Sequence, residues 1–107
     1  MNTTEHLLTC LSEECVEVSK DIHKALRFGL ADVNVLEPNG QTNRERIIAE
    51  LNDLMATIEL LMDFGVLPRD WANAESQLQK RRKVRKFMAY AHDVGALQSQ
   101  GNHFDKP

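Results

Sequence analysis

The chain has 107 residues and 12.2 kDa, with 42% hydrophobic and 27% charged residues and a formal net charge of −3. That length supports one small core rather than several domains, and the balanced composition excludes a disordered chain. With no secretory signal and no apolar run near ~18 residues, a cytoplasmic chain with reduced thiols and no membrane span is expected.

The first predicted element is a long amphipathic helix. Asn2-Thr3-Thr4-Glu5 reads as its start, with Thr3 or Thr4 as the N-cap, and Gly29 as its stop in a left-handed capping conformation, giving a helix from about Thr4 to Phe28. At about 100° per residue, Leu7, Leu11, Cys15, Val18 and Ile22 form one stripe, flanked by Leu8, Ala25 and Leu26. Cys15 is therefore a candidate core residue. Cys10 lies about 140° away from it around the helix, which disfavours a disulfide between them. Glu14 and Glu17, three residues apart, fall roughly 60° and 120° to one side of the stripe.

Residues 29–42 read as a connection, marked by Pro38 and Asn39-Gly40. It is longer than a helix hairpin needs, so it either covers a ligand or is a passive link. The second helix starts at Thr42 or Asn43, both able to cap, with Glu45 placed favourably for the helix dipole, and it ends at Phe64-Gly65 ahead of Pro68. Its stripe is Ile47, Leu51, Leu54, Ile58 and Leu61, flanked by Met55 and Met62, while Leu60 lies off the stripe and hints at a second buried surface. Measured from Ile47, Glu50 and Asp53 fall roughly 60° and 120° to the same side as the first pair.

A third helix is expected from about Asp70 to Val94, with Gly95 as terminator, Trp71 anchoring its entry, and Leu78, Val84, Phe87, Met88 and Ala91 as a looser apolar face. Six Lys and Arg fall within residues 80–86; taking them from the net charge of −3 leaves −9 on the rest of the chain. This segment has no interleaved aromatics and the pI is ≈ 5.8, so nucleic acid is a poor fit. A solvated face, a contact with an acidic surface of another subunit, and substrate phosphates remain open. His6, His23, His92 and His103 share no ligand spacing. One domain over residues 1–97 and a polar, frayed tail over 98–107 complete the reading.

The fold class is thus all-α, a three-helix protomer whose first two helices pair antiparallel. Pairing through the stripes brings Glu14, Glu17, Glu50 and Asp53 together along one edge. With 16 Asp+Glu in the chain, about two acid pairs at this spacing arise by chance, and two are present, so only their matched placement carries weight. Converging carboxylates repel unless cations lie among them, and a set without Cys or His suits Mg²⁺ or Mn²⁺. Solvated acidic flanks are the plain alternative.

Glu13-Glu14-x-x-Glu17 followed by Glu50-x-x-Asp53, on the first two helices of a short all-α chain, resembles the signature of the MazG-like nucleoside triphosphate pyrophosphohydrolases. The resemblance covers about residues 5–65, and Glu50-Leu-Asn-Asp-Leu54 is similar to the family's Glu-Leu-Gly-Asp-Leu. It implies Mg²⁺ ligation by Glu14, Glu17, Glu50 and Asp53, with Glu13 supporting from beside them. It further implies hydrolysis of (deoxy)nucleoside triphosphates to monophosphate and pyrophosphate by metal-activated water, in a homodimer or homotetramer that completes a helical bundle. Two departures stand out: the 32 residues between Glu17 and Glu50 are a longer insert than usual, and Asn52 replaces the small residue before the Asp. The insert leaves substrate identity open.

Lys24 and Arg46 share the carboxylate side of their helices and are the first choices for binding substrate phosphates, with Arg27 and Arg44 behind them. Trp71, Phe64, Phe28 and the 29–42 connection are candidates for a base pocket. The alternative function is a non-enzymatic helical protein-interaction module. A carboxylate-bridged di-iron bundle is disfavoured because no Glu-x-x-His pair is present.

Overall fold

Side-chain caps and glycines set the ends of the helices, and a computed structural model of the chain describes them over residues 1–33, 36 and 40–98. Three helices, α1 (Thr3–Phe28), α2 (Asn43–Asp63) and α3 (Ala74–Asp93), account for the all-helical fold, with no strand among the described residues. The N-cap of α1 is Asn2 rather than Thr3 or Thr4. Its side chain accepts from the Glu5 N–H at 2.8 Å while the Glu5 carboxylate accepts from the Asn2 N–H, a reciprocal capping box that leaves both threonines inside the helix. Thr42 and Glu45 repeat the device at α2, at 3.1 and 3.0 Å. Helix α3 begins at Ala74, later than the expected Asp70, because Asn73 accepts from the Ser76 N–H at 2.8 Å and fixes the first turn there. Trp71 precedes the helix and remains exposed.

Two helices end in the same way. At α2 the Val66 N–H reaches Leu61 O (2.8 Å) and the Gly65 N–H reaches Met62 O (3.0 Å); at α3 Ala96 reaches Ala91 and Gly95 reaches His92 at the same two lengths. Both are Schellman closures, which need φ > 0 at the glycine, and Gly65 and Gly95 have φ 72° and 80°. Helix α1 stops differently: Gly29 has φ 97° and ψ 151°, outside the expected left-handed capping region.

The pairing of α1 with α2 is antiparallel, because the end of the first meets the start of the second. Asn43 N–H donates to Asp32 O (3.0 Å), Arg44 N–H to Leu30 O (2.9 Å), and the Asn43 side chain donates to Gly29 O (2.9 Å). Asn43, one of the two expected caps, is 1% exposed and acts as a tie between the helices. The core is small: Leu7, Ala25 and Leu61 are buried, with Leu11, Val18, Ile47, Leu54 and Ile58 half-buried around them.

The helices do not meet through the centres of their apolar stripes. Each is turned toward its acidic side, so that Asp21, Asn43 and Arg46 are buried and Glu14, Glu17 and Glu50 half-buried, whereas Leu8, Cys15, Ile22 and Leu26 of α1 and Leu51 and Met55 of α2 are exposed. The expectation of a core Cys15 is corrected here. The tie through Asn43 fixes which face of α2 looks at α1, and two helices alone cover only one face of each other.

By compactness the chain divides into two units, Met1–Pro68 and a second beginning at Arg69. In the second, α3 buries no residue; Val84, Phe87 and Met88 remain exposed and, with Ala91, Ala96 and Leu97, line a groove that Lys80 and Lys83 border. No helix among the described residues is long and apolar enough to cross a membrane. Pro38, Asn39 and the tail beyond Gln98 fall outside the described residues.

Candidate metal centre

Successive turns of α1 present Glu14, Glu17, Asp21 and Lys24, and α2, running the other way, presents Asp53, Glu50 and Arg46. Antiparallel order therefore sets acid against acid at mid-hairpin and brings cations in toward the connection. One carboxylate oxygen from each of Glu14, Glu50 and Asp53 lies within 4.8 Å of the other two. Glu14 and Glu50 are half-buried, and Asp53 is exposed.

The electrostatics follow from that crowding. Burial between the helices pushes the Glu50 carboxyl above the ordinary carboxylate range, and the charges of Asp21, Asp53, Glu14 and Glu17 push it further the same way. Oε2 of Glu14 is buried with no hydrogen-bond partner. An acceptor buried in this state is costly unless something positive meets it. The donor set is all oxygen, which suits a hard divalent cation such as Mg²⁺ or Mn²⁺.

The structure brings the expected residues together unevenly. Glu17 lies outside the trio but lines the cleft beside it, close enough to act on Glu50. Lys24 and Arg46 line the same cleft. Arg44 and Arg27 do not, and the Arg27 guanidinium sits over the Phe28 ring at 5.3 Å. Glu13 is exposed and outside the trio, and neither Phe28 nor Phe64 lines the cleft. His6 approaches Cys10 (Nε2 to Sγ 3.8 Å) and His23 approaches the Ser19 carbonyl (2.8 Å), both away from the carboxylates.

Asp21, Lys20 and Gln41 also line the cleft and were not among the expected site residues. Asp21 is 7% exposed. Its signal was available: it follows Glu17 by four residues, the other spacing at which helical side chains are neighbours, and a search for acids three apart passes over it. Lys20 and Gln41 carried no comparable signal, because the first looks like any surface lysine and the second belongs to the connection.

The fold and site together define a class: an all-α hairpin with a carboxylate trio at its seam and a mixed-charge cleft beside it. Compared with known protein families, curated proteins and solved structures, the chain matches none.

Proposed function

We propose that this chain is a Mg²⁺-dependent nucleoside triphosphate pyrophosphohydrolase of the cytoplasm, converting (deoxy)nucleoside triphosphates to monophosphate and pyrophosphate. The observation that supports this reading most is the meeting of Glu14, Glu50 and Asp53 from two helices, in the motif pattern that resembles the MazG-like enzymes. In this reading Glu14, Glu17, Glu50 and Asp53 hold the metal and Glu13 steadies the set from the next position. Bound Mg²⁺, or Mn²⁺ in its place, supplies neutralisation of phosphate charge and a water of lowered pKa. Glu14 or Glu17 orients the attacking water and takes its proton. Lys24 and Arg46 hold the phosphate chain in line with the attack, and no covalent intermediate is required.

The same reading has the chain working as a homodimer or homotetramer. The exposed apolar positions Leu8, Cys15, Ile22, Leu26, Leu51 and Met55 lie on the flank of each helix opposite the acids, and in an antiparallel pair those flanks share one side. A second copy laid on that side completes a helical bundle with the carboxylates left open. Leu60, also exposed, lies off that side.

Pyrophosphate release from a panel of ribo- and deoxyribonucleoside triphosphates, with and without Mg²⁺, tests the reading. Release that requires metal and is lost in both Glu50→Gln and Asp53→Asn is expected; a folded, oligomeric sample that hydrolyses none of the panel overturns it. One observation favours the rival, a helical protein-interaction module: α3 buries no residue while carrying six cations over residues 80–86. A module of that kind tolerates Glu50→Gln without loss of partner binding.

A further inference from the structure

Helix α3 carries an exposed apolar groove. Val84, Phe87, Met88 and Ala91 line its length, and the Schellman closure at Gly95 brings the Ala96 and Leu97 N–H groups back to the Ala91 carbonyl (2.8 and 3.1 Å), so that these two residues close one end. The groove encloses ≈ 430 Å³, within the range of about 300–1,000 Å³ of ligand pockets. Phe87 is 56% and Met88 52% exposed. Apolar surface gathered in one exposed place marks an interaction site, whereas scattered exposed side chains do not.

Charge is ordered along this groove. Lys80 and Lys83 border the end away from Leu97 and belong to the six Lys and Arg of residues 80–86. The acids of α3, Glu75 and Asp93, both fall about 160° round the helix from Ala91, on its far side. A complementary occupant therefore presents apolar side chains toward Leu97 and several carboxylates toward Lys80 and Lys83. A second α3 brings apolar surface with no acid beside it. The hairpin of a second copy gathers Glu14, Glu17, Asp21 and Glu50 on the side opposite its exposed apolar flank; Glu5 and Glu59 border that flank, and Glu5 is engaged in the capping box with Asn2. A lipid surface matches the cations but is flat where the groove is concave.

We infer that α3 docks an acidic amphipathic helix of another protein, laid along this groove with its apolar face down and its carboxylates over Lys80 and Lys83. The inference stands apart from the hydrolase reading, because no residue of the carboxylate trio or of the cleft beside it takes part. Phe87 and Met88 supply the contact area, and the unbranched Met88 side chain adapts to the residues set against it. The cations orient the partner and speed encounter. Salt screens exposed charges, so docking weakens as ionic strength rises, while the apolar seat governs release.

The test uses the full chain and a synthetic helical peptide with Leu along one face of its first half and Glu through its second, followed by fluorescence anisotropy. The unaltered chain is expected to bind this peptide in the micromolar range, and a scrambled peptide of the same composition at least ten-fold more weakly. Phe87→Ala combined with Met88→Ala should lose at least ten-fold in affinity and keep its helical content, since both side chains are exposed. Lys80→Glu combined with Lys83→Glu should lose the acidic peptide and gain the counterpart that carries Lys in place of Glu. Equal binding of ordered and scrambled peptides, or no exchange of preference on charge reversal, overturns the inference. So does a homo-oligomer that the Phe87 and Met88 substitutions dissociate and the peptide leaves intact, or binding to anionic phospholipid vesicles for which the peptide does not compete. None of these outcomes bears on pyrophosphate release, which tests the hydrolase reading separately.

Discussion

The α1–α2 hairpin and helix α3 are made by the same local rules and end in opposite states. Both α2 and α3 have a side-chain N-cap and a Schellman closure on glycine, and they are nearly the same length. Yet the hairpin buries Leu7, Asp21, Ala25, Asn43, Arg46 and Leu61, and α3 buries nothing. Local signals make a helix, whereas a site needs a second helix in fixed register. In the hairpin Asn43 and the backbone bonds at the connection hold that register, with both helices turned toward their acids.

The widest separation between the two regions should appear in activity. Under the proposed hydrolase reading, Glu50→Gln and Asp53→Asn are expected to lower nucleoside triphosphate hydrolysis by factors on the order of 10²–10⁴. Removal of Glu50's crowded charge should at the same time raise the metal-free Tm, since it relieves repulsion by Asp21, Asp53, Glu14 and Glu17. Steady-state rates and a thermal scan on the same samples check both halves. A fall in activity accompanied by a fall in stability would point to damaged structure instead of a damaged site.

Stability should separate them next. Leu61 is fully buried in the hairpin, and Leu61→Ala is expected to cost about 2–5 kcal/mol. Phe87→Ala in α3, where the ring is exposed, should stay within about 0.5 kcal/mol in a monomeric sample. Urea unfolding of the two variants measures the contrast directly. A large loss for Phe87→Ala that appears only at high protein concentration would show that α3 finds its cover in an assembly. Asn43→Ala comes between: it removes the side-chain bond to Gly29 O and leaves that carbonyl poorly satisfied, at about 1–3 kcal/mol.

These comparisons also show which parts of the molecule could be read from its residues. The helices were legible because their ends are written locally: Gly65 and Gly95 sit where the closures need φ > 0, and Thr42 and Glu45 are spaced as a capping box. The small errors were of the same local kind, Asn2 outranking Thr3 and Thr4 as a cap and Asn73 starting α3 later than Asp70 suggested. The meeting of Glu14, Glu50 and Asp53 was legible from matched azimuths, which placed Glu17 with them although it lies outside the trio. What the helical wheel could not supply was the rotation of one helix on the other. Hydrophobicity alone places Cys15 in the core and Asp21 in solvent, and the hairpin does the reverse, because both helices are rotated toward their acidic flanks while Leu7, Leu11 and Val18 stay at the contact.

The smallest expected effect tests the local side of the contrast. The Thr42 backbone N–H and side chain, both bonded to Glu45, hold its carboxyl below the ordinary value of 4.5. A group whose folded pKa is depressed stabilises the fold above its unfolded pKa, and that contribution disappears as pH falls through the folded value. Glu45→Gln should therefore lower the Tm slightly at pH 7, with the difference closing between the ordinary carboxylate range and the more acidic pH at which the folded group titrates. Because Glu45 lies at the start of α2, beside the tie made by Asn43, the loss should also loosen the connection end of the hairpin, where Lys24, Arg46 and Gln41 line the cleft. Amide exchange at Asn43 and Arg44 would register that loosening even where the thermal shift is small, and unchanged exchange there would confine the capping box to helix formation alone.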